Sequence, residues 1–217
     1  MNLQNELDGF REAAKQKAPP HVVPTIEATI QRLRDSHFAD GALRPRQTIT
    51  DFELPDATGK LVSSADLRRS GPLLILFYRG TWCPFCNLTV RAYQERLQAF
   101  QDRRVTLVAI SPQTPDNSLT LQQKHSLKFP LLSDRGNTVA RQFGIVFQMD
   151  PALKQVQKQF GVDIASYNGD DSFELPLPGT FLVSRGGMVL RSFVEVDYMR
   201  RLEPETAINW IDEIATE

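Results

Sequence analysis

Cys83 and Cys86 are the only cysteines in this 217-residue chain, separated by Pro84 and Phe85. Two thiols at this spacing can pass between dithiol and disulfide, and that chemistry depends on how easily one becomes a thiolate. Elements on both sides must hold them. Residues 73–78, Leu-Leu-Ile-Leu-Phe-Tyr, form a short apolar run of the kind expected for a strand covered on both faces. After the pair, Leu88, Val90, Tyr93, Leu97 and Phe100 recur at roughly helical spacing. The cysteines therefore fall at a strand-to-helix junction, Cys83 at the expected N-cap and Cys86 in the first turn. Unpaired backbone N–H groups there favour thiolate over thiol. Redox chemistry is the leading expectation.

Blander uses of the pair fare worse. A zinc site needs about four ligands. No second CxxC exists, and His21, His37 and His125 are scattered without metal-ligand spacing, so no metal is expected. A structural disulfide closing so short a loop constrains the unfolded chain little. Free cysteines also pack as small apolar groups, but a helix N-terminus is a poor place for inert ones. Arg79 is the nearest cation in sequence, a candidate for assisting the thiolate or a bound substrate. Thr81 offers a hydroxyl donor, and Trp82 offers either packing beside the thiols or a docking surface. Arg141 reads as a partner for a carboxylate, and Asp170-Asp171 as a solvated loop.

Composition narrows the class. The formal net charge of −1 gives no field suited to nucleic acid or an acidic membrane surface, and 41% hydrophobic residues can support a packed core. No apolar run reaches the length of a membrane span. The first residues lack a charged start followed by an apolar segment, so no signal peptide is expected, and a cytoplasmic location is the default. Two closely spaced cysteines suit a reducing compartment better than a secreted disulfide framework.

The rest of the chain divides at about residue 45. Residues 2–17 carry Leu3, Leu7, Phe10 and Ala14 on one helical stripe. Pro19-Pro20 ends it, and a second helix is expected over about 24–38. Residues 1–44 thus read as a helical extension, free to pack on the main domain or on a second copy in a homo-oligomer. Residues 45–217 read as the main domain. A short strand is expected at 51–54, a helical turn at 63–67, strands at 73–78, 105–110 and 129–132, and helices before and after the last of these. Pro130 marks that last strand as an edge. Residues 147–176 hold a helix and a polar loop and read as an insertion over the site. Strands at 180–184 and 189–194 flank Gly186-Gly187 as a hairpin, and a final helix spans about 203–214. The expected fold is α/β: a mixed central sheet covered by helices on both faces, with a helical N-terminal extension.

From about Arg46 onward the chain resembles the thioredoxin-fold superfamily, and more closely the peroxiredoxins of the alkyl hydroperoxide reductase and thiol-specific antioxidant type. The resemblance rests on Asp51-Phe52-Glu53-Leu54-Pro55-Asp56 with Gly59-Lys60, on Phe77-Tyr78-Arg79-Gly80, and on Phe129-Pro130-Leu131-Leu132-Ser133-Asp134. Ala140-Arg141-Gln142-Phe143-Gly144 and Thr180-Phe181-Leu182-Val183 with Gly187 complete it. It implies a thioredoxin-like fold and a thiol peroxidase that reduces hydrogen peroxide or organic hydroperoxides without a cofactor. Thioredoxin or another dithiol would restore the reduced form. The family's Pro-x-x-x-Thr-x-x-Cys pattern, laid onto Phe77-Tyr78, puts the attacking thiol on Cys86, the threonine on Cys83 and the proline on Arg79. The family's site arginine falls near Pro178. Trp82-Cys83-Pro84-Phe85-Cys86 resembles a thioredoxin site instead, and Pro178 resembles the cis-proline facing it. Thioredoxins place the attacking thiol where Cys83 stands. The expected site residues are Cys86, Cys83 and Arg79, with Thr81, Trp82 and Pro178 around the substrate. The alternative activity is thiol–disulfide exchange on protein disulfides.

Overall fold

Most of the expected elements form, and side chains of Asn2, Asp150 and Asp163 cap three of the helices. The computed structural model describes residues 2–216. Helices α1 (Leu3–Lys17) and α2 (Val22–Asp35) come first, broken at Pro19-Pro20. Strands β1 (Glu53–Pro55) and β2 (Leu61–Ser63) pair antiparallel. Their turn is held by Asp56, whose carboxylate accepts the backbone N–H groups of Thr58 and Lys60 at 2.8 and 3.1 Å. Then follow α3 (Ser64–Leu67), β3 (Leu73–Phe77), α4 (Pro84–Glu95) and α5 (Leu97–Asp102). Next come β4 (Thr106–Ser111), α6 (Pro115–His125), β5 (Leu131–Ser133) and α7 (Thr138–Gln142). The insertion holds β6 (Val146–Gln148), α8 (Pro151–Gln159), α9 (Ile164–Asn168) and β7 (Glu174–Pro176). The hairpin β8 (Gly179–Val183) and β9 (Val189–Val194), then α10 (Pro204–Thr216), end the chain.

The main sheet has the order β5-β4-β3-β8-β9. β3 runs parallel to β4, and β4 to β5, while β3–β8 and β8–β9 are antiparallel. β3 is the middle strand, and all its residues are buried, which explains its unbroken apolar run. β5 is an edge, as Pro130 requires. The sheet is mixed and flanked by helices, as expected. No helix among the described residues is long and apolar enough to cross a membrane.

Differences from expectation fall on short or nonlocal elements. The helix expected over 88–100 breaks at Arg96 into α4 and α5. β6 and β7 pair across the whole insertion, Val146 with Pro176 and Gln148 with Glu174. Three-residue strands carry too little alternation to be read locally. Part of the expected polar loop, at 166–168, is the end of α9, started by Asp163, whose carboxylate accepts the N–H of Ser166 at 3.2 Å.

The N-terminal helices share the core of the main domain. Leu3 and Leu7 are buried within it. Glu203, ahead of α10, accepts the free N–H groups of Leu3 and Gln4 at 3.0 and 2.7 Å, satisfying the start of α1. Glu6 pairs with Arg91 of α4 at 2.5 Å, and Phe10 sets its ring edge-on to Phe85, centroids 5.2 Å apart. α2 is tied to α8 through Asp150. One carboxylate oxygen caps Leu153 N–H at 2.8 Å, and the other accepts Thr29 Oγ1 at 2.8 Å and pairs with Arg32. Burial works against that charge, but these donors hold the carboxyl below its ordinary range.

Candidate active site

The strand-to-helix junction places the thiols. After β3, Tyr78 continues the ladder, its N–H donating to Ile110 O at 3.0 Å. The chain then turns through Gly80, whose φ of 149° is a conformation that side chains rarely adopt. A Cβ there would also lie 2.4 Å from Trp82 Nε1, so the indole seats directly on this glycine. Cys83 is the N-cap of α4 and Pro84 follows inside the first turn, where a missing N–H costs nothing. Cys86 lies in that turn. Both cysteines are free, fully buried and 3 Å apart.

Two arginines divide between the two sulfurs. Arg79, itself 3% exposed, donates from Nη2 to Cys83 Sγ at 3.2 Å. Its guanidinium lies over the Tyr198 ring at 3.6 Å and near the Trp82 ring at 5.0 Å, so aromatic faces help hold the cation out of water. Arg201 directs Nη2 at Cys86 Sγ from 3.7 Å. Burial opposes a charge on Cys83. The hydrogen bond from Cys86 and the positive charges of Arg79 and Arg201 outweigh it and pull the Cys83 thiol well below its ordinary range. Burial pushes the Cys86 thiol up, and donating to a neighbouring thiolate pushes it further. The two thiols titrate as a pair, and the Arg79 contact favours the first negative charge at Cys83.

The surrounding side chains fix this geometry. Gln113 accepts Thr81 N–H at 2.8 Å and donates to Tyr78 Oη at 3.2 Å. Burial pushes the Tyr78 hydroxyl up to about 12, so it stays protonated. Asn87 donates to Thr81 O at 3.0 Å, tying the turn to α4. Among the described residues no group of three or more His, Cys, Asp or Glu side chains could hold a metal.

A cavity of about 450 Å³ borders Cys83, whose side chain stays fully buried. Arg79, Trp82, Cys83, Phe85 and Tyr198 line it beside the thiols, and residues of α1, α2 and α8 line the rest. Cys86 does not line it.

The structure thus brings Cys83, Cys86, Arg79 and Trp82 together. Thr81 takes part through its backbone N–H and carbonyl. Pro178 does not line the cavity at Cys83; it borders a small void with Thr89, Thr180 and Arg201, the arginine aimed at Cys86. No peptide bond in the described chain is cis, that before Pro178 included. Arg141 pairs with Glu174 at 2.7 Å, as read from sequence. Tyr198 and Arg201 escaped the sequence reading. They follow β9 in an irregular stretch with no pattern linking it to residues more than a hundred positions earlier. The only signal was two adjacent arginines, Arg200-Arg201, after an aromatic residue.

Comparison with known proteins bears on the family and the fold. The AhpC/TSA family model matches residues 45–192. A Mycobacterium tuberculosis protein named as a peroxiredoxin is 31% identical over 103 residues, which cover 48% of this chain and 67% of that protein. The chloroplastic peroxiredoxin Q of Gentiana triflora is 29% identical over 147 residues, 67% of this chain and 63% of its own length. In three dimensions, peroxidoxin BcpB of M. tuberculosis superposes with a TM-score of 0.63 at 23% identity, covering 79% of this chain and 98% of its own. Peroxiredoxin Q of Xanthomonas campestris gives 0.59 at 18% identity, covering 80% of this chain and 97% of its own. The last two likenesses speak for the thioredoxin-like fold. With a family match over most of its length and a paired thiol site at the start of α4, the chain belongs to the AhpC/TSA family, the peroxiredoxin-type thiol peroxidases.

Proposed function

We propose that the protein reduces peroxides with Cys83 as the attacking thiolate and Cys86 as the resolving thiol. The observation that carries this is geometric: Cys83 borders the cavity and Cys86 does not, and Arg79 donates to the Cys83 sulfur. The resemblance in sequence favoured Cys86 for the attack. Access and charge favour Cys83.

In the first step the Cys83 thiolate attacks one peroxide oxygen and the O–O bond breaks. The sulfur becomes a sulfenic acid, and the other oxygen leaves as hydroxide or alkoxide, taking a proton from water. Arg79 stabilises the thiolate and, as the S–O bond forms, faces the negative charge that moves onto the oxygens. In the second step the Cys86 sulfur displaces the sulfenic oxygen. The Cys86 proton leaves with it as water, and a Cys83–Cys86 disulfide remains. An external dithiol then donates two electrons and two protons. Full burial of both thiols suits small reactants more than a protein disulfide, so peroxidase activity is preferred over exchange with folded proteins. A low-molecular-weight dithiol reaching through the same cavity is the matching reductant.

One equivalent of hydrogen peroxide added to reduced protein, followed by peptide mass mapping, tests this reading. An intramolecular Cys83–Cys86 disulfide is expected. Intermolecular crosslinks alone, or a stable sulfinic acid, would overturn it.

A further inference from the structure

Arg201 is a second buried guanidinium at the thiols, on the side of Cys86. Its Nη2 points at Cys86 Sγ from 3.7 Å, and its Nη1 donates to Arg200 O at 3.0 Å. It is only 9% exposed, and no carboxylate among the described residues pairs with it. A buried cation without a counter-charge is costly. The group it contacts that can become negative is Cys86.

The helix that carries the thiols helps to hold this arginine. Tyr93 of α4 donates from Oη to Leu202 O at 3.1 Å, in a buried hydrogen bond. Just before Arg201, Asp197 closes a turn. Its carboxylate accepts Met199 N–H at 3.1 Å, and its carbonyl accepts Arg200 N–H at 2.9 Å. Arg201 borders the small void with Thr89, Pro178 and Thr180 and, like Cys86, does not line the cavity at Cys83. Its charge is thus placed for the resolving sulfur and not for an entering substrate.

The charge on the pair changes during the cycle. In the reduced pair, burial and the adjacent Cys83 sulfur push the Cys86 thiol up, while Arg201 and Arg79 pull it down. Tyr78, the other titratable group facing Cys86, stays protonated. Attack turns the Cys83 thiolate into a neutral sulfenic acid. One cause of the upward push is then gone, and two buried guanidinium groups face no thiolate. A negative charge on Cys86 answers them.

We propose that Arg201 is a catalytic residue of the second step, stabilising the Cys86 thiolate that displaces the sulfenic oxygen from Cys83. The Cys86 proton passes to that oxygen, the S–O bond breaks, water leaves and the S–S bond forms. The Cys86 sulfur is oxidised and the Cys83 sulfur reduced. Oxidation of one sulfur therefore arms the other. This deepens the proposed function and rests on its order of events, attack at Cys83 and resolution by Cys86.

Two measurements on the full chain test the proposal. In the first, reduced protein is mixed rapidly with one equivalent of hydrogen peroxide and quenched at intervals, and sulfenic acid and disulfide are mapped by mass. Arg201→Met keeps a long side chain and removes the charge. In this variant the attack on peroxide is expected to slow by less than about tenfold, since Arg79 remains at Cys83. Closure to the disulfide is expected to slow by about 100-fold, the usual cost of a lost charge-stabilising donor. In the second, Cys83→Ser makes position 83 neutral, as the sulfenic acid does, and the remaining thiol is titrated by thiolate absorbance. Cys86 is expected to titrate below the ordinary thiol pKa of about 8.5. Adding Arg201→Met should raise that midpoint by at least about one pH unit. This thiolate does not take over the attack, because Cys86 does not border the cavity. Equal slowing of both steps in Arg201→Met, or unchanged closure, would overturn the proposal. So would a Cys86 midpoint above about 8.5 in Cys83→Ser, a result that stands whether or not Arg201→Met folds. A sulfenic acid mapped to Cys86 in the wild-type protein would instead overturn the order of attack.

Discussion

Arg79 sets the chemical state of Cys83, and its own state is set by what surrounds it. A guanidinium with almost no exposure is tolerated because the Cys83 thiolate and two aromatic faces replace water. Removing its charge removes the main external support for the thiolate. In Arg79→Gln the Cys83 pKa rises, so less thiolate exists at any pH below it. Peroxide reaction at neutral pH is expected to fall by about 100-fold, the usual cost of losing one charge-stabilising donor. In wild type the rate should hold as pH falls below the ordinary thiol pKa of about 8.5, because the depressed pKa of Cys83 lies lower. In the variant the rate should begin to decline at higher pH. A pH–rate profile that is the same in both proteins would show that Arg79 does not act on the thiol. The cysteines and Arg79 were legible in sequence because they sit within eight positions around one junction. Arg201 and Tyr198 were not, since only the path of the chain after β9 brings them to α4.

At the scale of elements, α4 positions the thiols and α1 positions α4. Leu7 is fully buried, Glu203 fixes the start of α1, and Phe10 packs on Phe85 between the cysteines. Leu7→Ala is therefore expected to destabilise the whole fold by about 2–5 kcal/mol, as for a core leucine. Chemical denaturation should show a single transition at lower denaturant. No change in midpoint, or a separate early transition of α1 alone, would mean that the extension is an appendage. Sequence periodicity located α1 and α2 well because their amphipathic stripes span several turns. It left open what those stripes cover, since a stripe names a face and not its partner. The pairing of β6 with β7 was hidden for a related reason: each strand has three residues, and twenty-five residues of insertion separate them.

At the scale of the molecule, the sheet supplies a rigid floor and three peripheral segments supply the access route. The central strand β3 ends at the site, in the manner of α/β sheets that bind ligands beyond strand ends. The insertion at 147–176 and the extension at 1–44 meet over it through Asp150 and α2. The mixed α/β class was readable from the order of strands and helices, whereas the cavity wall comes from α8 and the residues after it and not from the polar loop at 166–171. The cavity was not readable, because it exists only where α1, α2 and α8 converge, and no single stretch of sequence encodes a void.

The central claim is that Cys83 attacks and Cys86 resolves. Rapid mixing of the two single-serine variants with peroxide, with sulfenic acid trapped and mapped by mass, tests it most directly. Cys86→Ser should keep the fast phase within about tenfold of wild type and stop at a sulfenic acid on Cys83, because the attacking sulfur and Arg79 remain. Cys83→Ser should lose the fast phase by more than about 1,000-fold. The contradicting result is the reverse: a fast phase kept in Cys83→Ser, with the sulfenic acid on Cys86, and lost in Cys86→Ser.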